Sequence, residues 1–167
     1  MTNRCVSVET ISLVLAVSLG FVCNCLAVFL NKWIIDFRVD GLRSDIGIFS
    51  NSFPWGPPFF RACFLMMVIS FALYLMLVGV LIFALVTFML NKPKLTRIGY
   101  RLIAIFSLAT AALQITSFIV TLACVPNYFN TKFFEYPGVG QSVYYALASA
   151  VFGFCSFGVS WHLAKFQ

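Results

Sequence analysis

The sequence predicts an all-α membrane protein, a four-transmembrane-helix bundle that carries a small extracellular β-sheet from its first outer loop. Three observations lead there. Hydrophobic residues make up 62% of the 167-residue chain and charged residues only 10%, with a mean hydropathy of +0.99, whereas soluble domains carry ~25% charged residues. Four apolar runs, residues 11–30, 64–90, 102–124 and 142–161, each approach or exceed the ~20 residues that cross a ~30 Å hydrocarbon core. Between the second and third runs, residues 91–101 (NKPKLTRIGYR) gather Lys92, Lys94, Arg97 and Arg101 with no acid among them.

A short loop this rich in Lys and Arg stays in the cytoplasm, because moving cations across the bilayer is disfavoured and the inner leaflet is anionic. Four spans return the chain to its starting side, so both termini join the hinge in the cytoplasm of a plasma-membrane protein. Residues 31–63 and 125–141 are then the outer loops, and residues 1–167 form one membrane domain. Four of the five acids, Asp36, Asp40, Asp45 and Glu135, fall in the outer loops, and Glu9 falls inside. Lys and Arg alone divide almost evenly between the sides, so their density in the hinge decides the orientation. The net charge of +6 points to membrane lipid as a partner and not to nucleic acid, since the excess sits beside anionic headgroups. The first apolar run is too long for a signal peptide and is followed by Asn31-Lys32-Trp33, which is no small-residue cleavage site; it is a retained helix.

Taken in order, residues 1–10 form a polar tail too short to fold, with Cys5 either a free thiol or an S-acylation site beside the bilayer. Helix one carries Asn24 at membrane depth, where its amide needs a partner, so Asn24 points inward as interhelical glue. Cys23 and Cys25 lie on neighbouring faces without further ligands, which gives a metal little to bind. The first outer loop alternates: Trp33, Ile35, Phe37 and Val39 share one face and Asp36, Arg38 and Asp40 the other, a half-buried strand. Asp40-Gly41 favours a tight turn, and Ile46, Ile48 and Phe49 fall on the returning strand. Next, Phe53-Pro54-Trp55-Gly56-Pro57-Pro58-Phe59-Phe60 is an irregular, extended lid. Its aromatics form either an interfacial belt or local core, or else an adhesive surface for another protein.

Helix two, at 27 residues, must tilt or project beyond the bilayer, and Lys92-Pro93 ends it. On helix three, Ser107, Thr110, Gln114, Ser117 and Thr121 recur in steps of three and four, a polar stripe that must face other helices or enclosed water. The second outer loop is aromatic, from Tyr128 to Tyr136, before Pro137-Gly138. Helix four repeats the spacing with small residues, Ser149, Gly153, Ser156 and Ser160, which allow close approach of a neighbour inside or outside the chain. Trp161 and His162 mark the inner interface.

This layout resembles the claudin, peripheral myelin protein and epithelial membrane protein superfamily of tetraspans over nearly the whole chain. The resemblance is carried by Trp33 after helix one, Gly41-Leu42 in the first loop, Arg61-Ala62 entering helix two, the basic hinge, and Gly140-Gln141-Ser142-Val143-Tyr144 opening helix four. It implies the four-helix fold with the small outer sheet. Members of that superfamily carry Trp-x-Gly-Leu-Trp and two disulfide-bonded cysteines in the first loop. Here Arg43 follows Gly41-Leu42, and no cysteine lies between Cys25 and Cys63. The loop is also shorter than in junction-forming claudins, and only six residues follow Trp161. Cys63 and Cys124 both fall near the outer face, either as a disulfide or, more simply, as two buried thiols.

An enzyme needs convergent acid, base or nucleophile groups, or a metal. One boundary His and scattered acids give no such set, and no cofactor site stands out. A transporter is disfavoured by the lack of an internal repeat or paired broken helices. Two readings remain. In the first, the chain is an accessory or structural subunit packed laterally against other integral membrane proteins in a hetero-complex. In the second, it is an adhesion or barrier protein acting through its aromatic loops. The candidate partner-binding residues are Phe53, Trp55, Phe59 and Phe60 in the first loop and Ser149, Gly153, Ser156 and Ser160 on helix four. Loss of the loop cysteines, the short loop and the short tail favour the first reading.

Overall fold

The computed structural model describes residues 2–30, 32–37, 43–46, 58–129 and 138–166. Four helices dominate: α1 (Thr2–Phe29), α2 (Pro58–Met89), α3 (Pro93–Phe129) and α4 (Gln141–Phe166). Each contains a segment long and apolar enough to cross a membrane, Val8–Phe29, Pro58–Met89, Pro93–Val125 and Gln141–Phe166. The molecule is an all-α, multi-pass, four-helix membrane bundle. Around the bundle the order is α2, α3, α4, α1, with α1 packed chiefly on α4 and only thinly on α2.

The packing inverts the pattern of a soluble bundle. Large apolar side chains such as Leu15, Leu65, Leu75, Ile82, Ile105 and Phe154 face outward, while Ser70, Ser107, Thr110, Gln114, Ser117 and Ser149 are buried. Lipid tails solvate Leu as well as another helix does, so nothing drives Leu inward. Small and polar residues gain most from meeting another helix, through close packing and hydrogen bonds. Two apolar clusters lie at opposite ends. One, near the α2–α3 turn, includes Leu13, Leu77, Leu81, Tyr100, Ile103 and Leu163. The other includes Val28, Trp33, Phe60, Met67, Val125 and Val143.

The helices overrun the apolar runs that announce them. Residues 2–10, expected as an unfolded tail, continue α1 as helix, because a helix has no reason to stop where the lipid does. The hinge shrinks most. Residues 93–101, expected as loop, are the first turns of α3, and only residues 90–92 separate it from α2. Pro93 ends no helix in the sense expected of it: it opens α3, where its missing N–H would have had no partner anyway and its fixed φ suits the first turn. Just before it, Asn91 sits at φ 51° and closes α2. The Asn91 N–H donates to the Phe88 carbonyl (3.1 Å) and the Lys92 N–H to the Thr87 carbonyl (3.0 Å), a left-handed cap that satisfies two end carbonyls. The Thr96 hydroxyl then bridges the Lys92 carbonyl (3.0 Å) and the Thr87 hydroxyl (3.2 Å), tying α3 to α2.

At the far end, short extended segments pair antiparallel: β1 (Ile34–Phe37), β2 (Arg43–Ile46) and β3 (Gly138–Val139), in the order β2-β1-β3. The register runs from Ile34↔Ile46 to Phe37↔Arg43, and Ile34 also faces Val139. The returning strand runs from Arg43 to Ile46, so the expected Ile46 lies on it, while Ile48 and Phe49 lie outside the described residues. Trp33 and Ile34 are both buried, 0% and 2% exposed, so strict alternation fails at the start of β1, where Trp33 still belongs to the cap of α1. The turn at Asp40-Gly41-Leu42 lies outside the described residues.

Candidate functional site

The small-residue stripe of α4 lies inside the bundle. Ser149 is fully buried, and its hydroxyl donates to the Gly20 carbonyl of α1 (2.8 Å) while accepting from Gln114 Nε2 of α3 (2.9 Å). The Tyr74 hydroxyl of α2 donates to the Ser149 carbonyl (3.2 Å), so one residue gathers all four helices. A Cβ on Gly153 would stand 3.1 Å from the Ala111 Cβ and 3.2 Å from the Ser107 carbonyl oxygen. Ser156 and Ser160, 1% and 0% exposed, turn their hydroxyls onto α4's own carbonyls of Phe152 (2.8 Å) and Ser156 (2.6 Å). This corrects the assignment of Ser149, Gly153, Ser156 and Ser160 to a partner surface. Ser149 and Gly153 meet the chain's own helices, and Ser156 and Ser160 are buried within the bundle.

The α3 stripe is likewise internal, with Ser107, Thr110, Gln114, Ser117 and Thr121 all at 0–1% exposure. Gln114 is the member that bonds across to α4, while the Thr110 and Thr121 hydroxyls return to the α3 carbonyls of Ser107 (2.9 Å) and Ser117 (2.8 Å). Asn24 does face the interior, as its amide requires, but its side chain makes no hydrogen bond among the described residues. Gln114, and not Asn24, is the polar link. The side chain of Cys5 lies outside the described residues.

At the end bearing β1, α4 clamps the end of α1. The Trp33 indole N–H donates to the Ala27 carbonyl at 2.6 Å, supplying a partner that the last turn of α1 lacks. The Gly140 N–H donates to the Trp33 carbonyl (2.9 Å), and Ser142 donates through its N–H to the Lys32 carbonyl (3.1 Å) and through its hydroxyl to the Leu30 carbonyl (3.0 Å). A Cβ at Gly140 would collide with the Lys32 carbonyl. Trp33 and the Gly-x-Ser opening of α4 are thus halves of one joint. The family model described as "Tight junction protein, Claudin-like" matches residues 1–167. The chain belongs to this claudin-like family. No curated protein matches it.

Other expected residues of this claudin-like chain are dispersed. Gly41, Leu42, Phe53 and Trp55 lie outside the described residues, as do the side chains from Tyr128 to Tyr136. Phe60 is buried in the core, with Phe59 edge-on to it at 6.5 Å, so these two rings serve the chain's own packing. Arg61 is exposed on the first turns of α2. Cys63 and Cys124 are both free thiols. The Cys63 Sγ instead lies 3.5 Å from the Thr121 hydroxyl and 3.7 Å from the Ser117 carbonyl of α3.

The opposite end holds most of the net positive charge. Arg97 Nε donates to the Ala164 carbonyl at 2.9 Å, capping the last turn of α4 with a cation where the helix dipole is negative. His162 Nδ1 and Glu9 Oε2, 3.3 Å apart, join α4 to α1. The Lys165 ammonium lies 5.7 Å from the Trp161 ring centre. Two lipid-facing glycines, Gly79 on α2 and Gly158 on α4, have no atom within 4 Å of where a Cβ would be. The sequence reading passed over both, although a lone glycine amid large apolar residues mid-helix is a signal, since it costs about 1 kcal/mol against alanine.

Proposed function

We propose that this claudin-like protein is a non-enzymatic subunit that packs laterally against a larger integral membrane assembly, a channel, transporter or receptor. It sits in the plasma membrane with both termini and the α2–α3 turn in the cytoplasm. The segments β1, β2 and β3 then form the small extracellular sheet of the family. The observation that carries the reading is Gly79. It lies outward on α2 between Met76 and Phe83, with open space over it, a lane where a foreign helix can approach backbone to backbone. The internal stripe of α4 is already occupied, so α2, packed thinly on α1, supplies the free face.

The test is purification in mild detergent from native membranes. The unmodified chain should emerge in a larger complex of fixed stoichiometry. Gly79→Leu should lose that partner while Gly79→Ala keeps it, both remaining folded because residue 79 is exposed and a Cβ there meets nothing within 4 Å. Recovery of monomers alone would sink the proposal.

The family's description as tight junction proteins supports a second reading, adhesion or barrier formation through the outer loops. Cells expressing the chain alone should then cluster, and Trp55→Ser should disperse them.

A further inference from the structure

We propose that the outer seam between α3 and α4 is a binding site for one anionic phospholipid, its phosphate held by Arg101 and Lys165 and an acyl chain lying in the groove beyond Trp161. This is independent of the Gly79 surface, which is on another helix. Two hollows meet at Trp161. One, about 550 Å³, is an almost wholly apolar groove between Ala104, Ala109 and Ala112 on α3 and Phe157 and Trp161 on α4. The other, about 150 Å³, is lined by Arg97, Arg101 and Lys165 together with Trp161 and Ala164. Ile105 and Leu108 of α3 also line this groove, and the three alanines beside them leave it its depth.

The dimensions suit one leaflet. From Ala112 to Arg101 is 11 residues, about 16 Å along a helix, half of a ~30 Å hydrocarbon core. Trp161, half exposed, stands where apolar groove gives way to cations, the depth at which amphipathic rings collect.

Charge supplies the specificity. Arg97 and Arg101 are one turn apart in the early turns of α3, whose first turn holds no acid. Lys165 joins them from α4. Among the described residues none of the three meets a carboxylate, and Glu9 is engaged by His162. Arg97 spends its Nε on the Ala164 carbonyl, which fixes the guanidinium in place. A zwitterionic headgroup brings as much positive as negative charge to this crowd, whereas a headgroup of net negative charge neutralises it. Each Lys or Arg beside an anionic surface is worth about a 5-fold gain in binding.

The test uses the full chain in vesicles of phosphatidylcholine doped with acyl-brominated phosphatidylserine or, at the same fraction, acyl-brominated phosphatidylcholine. Trp161 emission is obtained by difference from the Trp161→Phe variant. Phosphatidylserine should quench Trp161 several-fold more effectively, and Arg101→Gln with Lys165→Gln should abolish that advantage. Lys92→Gln with Lys94→Gln, on the same turn but outside the seam, should leave it intact. Ala112→Leu, which fills the groove, should reduce quenching by both lipids. Equal quenching by the two lipids in the unmodified chain overturns the proposal, and so does equal loss in the Lys92/Lys94 pair, which would mean bulk surface charge alone. Displacement by soluble glycerophosphoserine would mean a headgroup site without an acyl groove, and likewise overturns it. Should the double variant fail to fold, native mass spectrometry of the unmodified chain decides: it must retain phosphatidylserine in preference to phosphatidylcholine.

Discussion

Trp33 shows how a single side chain can carry two duties. Its ring fills the core near Val28 and Phe60, and its indole N–H closes the last turn of α1 through the Ala27 carbonyl. Trp33→Phe keeps most of the ring but leaves that carbonyl buried without its donor, so a loss of about 1–3 kcal/mol is expected, read as a lower denaturant midpoint in detergent. Gly140→Ala should be worse, because the added methyl meets the Lys32 carbonyl and not the yielding tip of a side chain. Size-exclusion profiles should show its monodisperse peak lost while Gly158→Ala, with nothing near it, elutes unchanged. Gln114→Leu removes the one side-chain link from α3 to Ser149 and should cost about 1 kcal/mol, the usual worth of a hydrogen bond between membrane helices. Gln114 and its stripe were legible in the sequence because a polar group in lipid has nowhere else to go. The pairing of Trp33 with Gly140 was not, since 107 positions part them and nothing local to either residue shows it.

Among the elements, the α2–α3 turn is the clearest case of sequence chemistry overriding expectation. Hydropathy finds where the lipid begins, not where the hydrogen bonds of a helix end, so each helix runs past its apolar run. The four cations of residues 91–101 read as a loop, yet the residues that decide the backbone are Asn91 and Pro93, a left-handed cap followed at once by a helix start. Asn91→Gly should therefore be tolerated or slightly stabilising, whereas Asn91→Val, branched at Cβ and at φ 51°, should cost about 1–3 kcal/mol. Thermal aggregation midpoints of the two variants, measured side by side, check the order. Gly99 belongs to the same device, since a Cβ there would stand 2.8 Å from the Ala84 Cβ and wedge α2 from α3.

For the whole molecule, the four-helix class was readable because composition alone names lipid as the solvent. Which face of each helix turns inward was half readable: the stripes on α3 and α4 announced burial, but not whether their neighbours belonged to this chain. Sidedness has its own measurement: Lys94 should take up an impermeant amine reagent only after the cell is permeabilised. The thiols are a second check. Cys63, buried, and Cys124 are unbonded, so electrophoretic mobility should not change on reduction, and a membrane-soluble maleimide should modify exposed Cys155 well before Cys63. The order of helices around the bundle also bears on biosynthesis. Since α1 leans chiefly on α4, which leaves the ribosome after the other three helices, it must wait in the bilayer with the Leu30, Lys32 and Trp33 carbonyls lacking the donors that α4 brings. A nascent chain halted before α4 would leave those carbonyls open, giving quality control a physical mark by which to recognise unfinished copies.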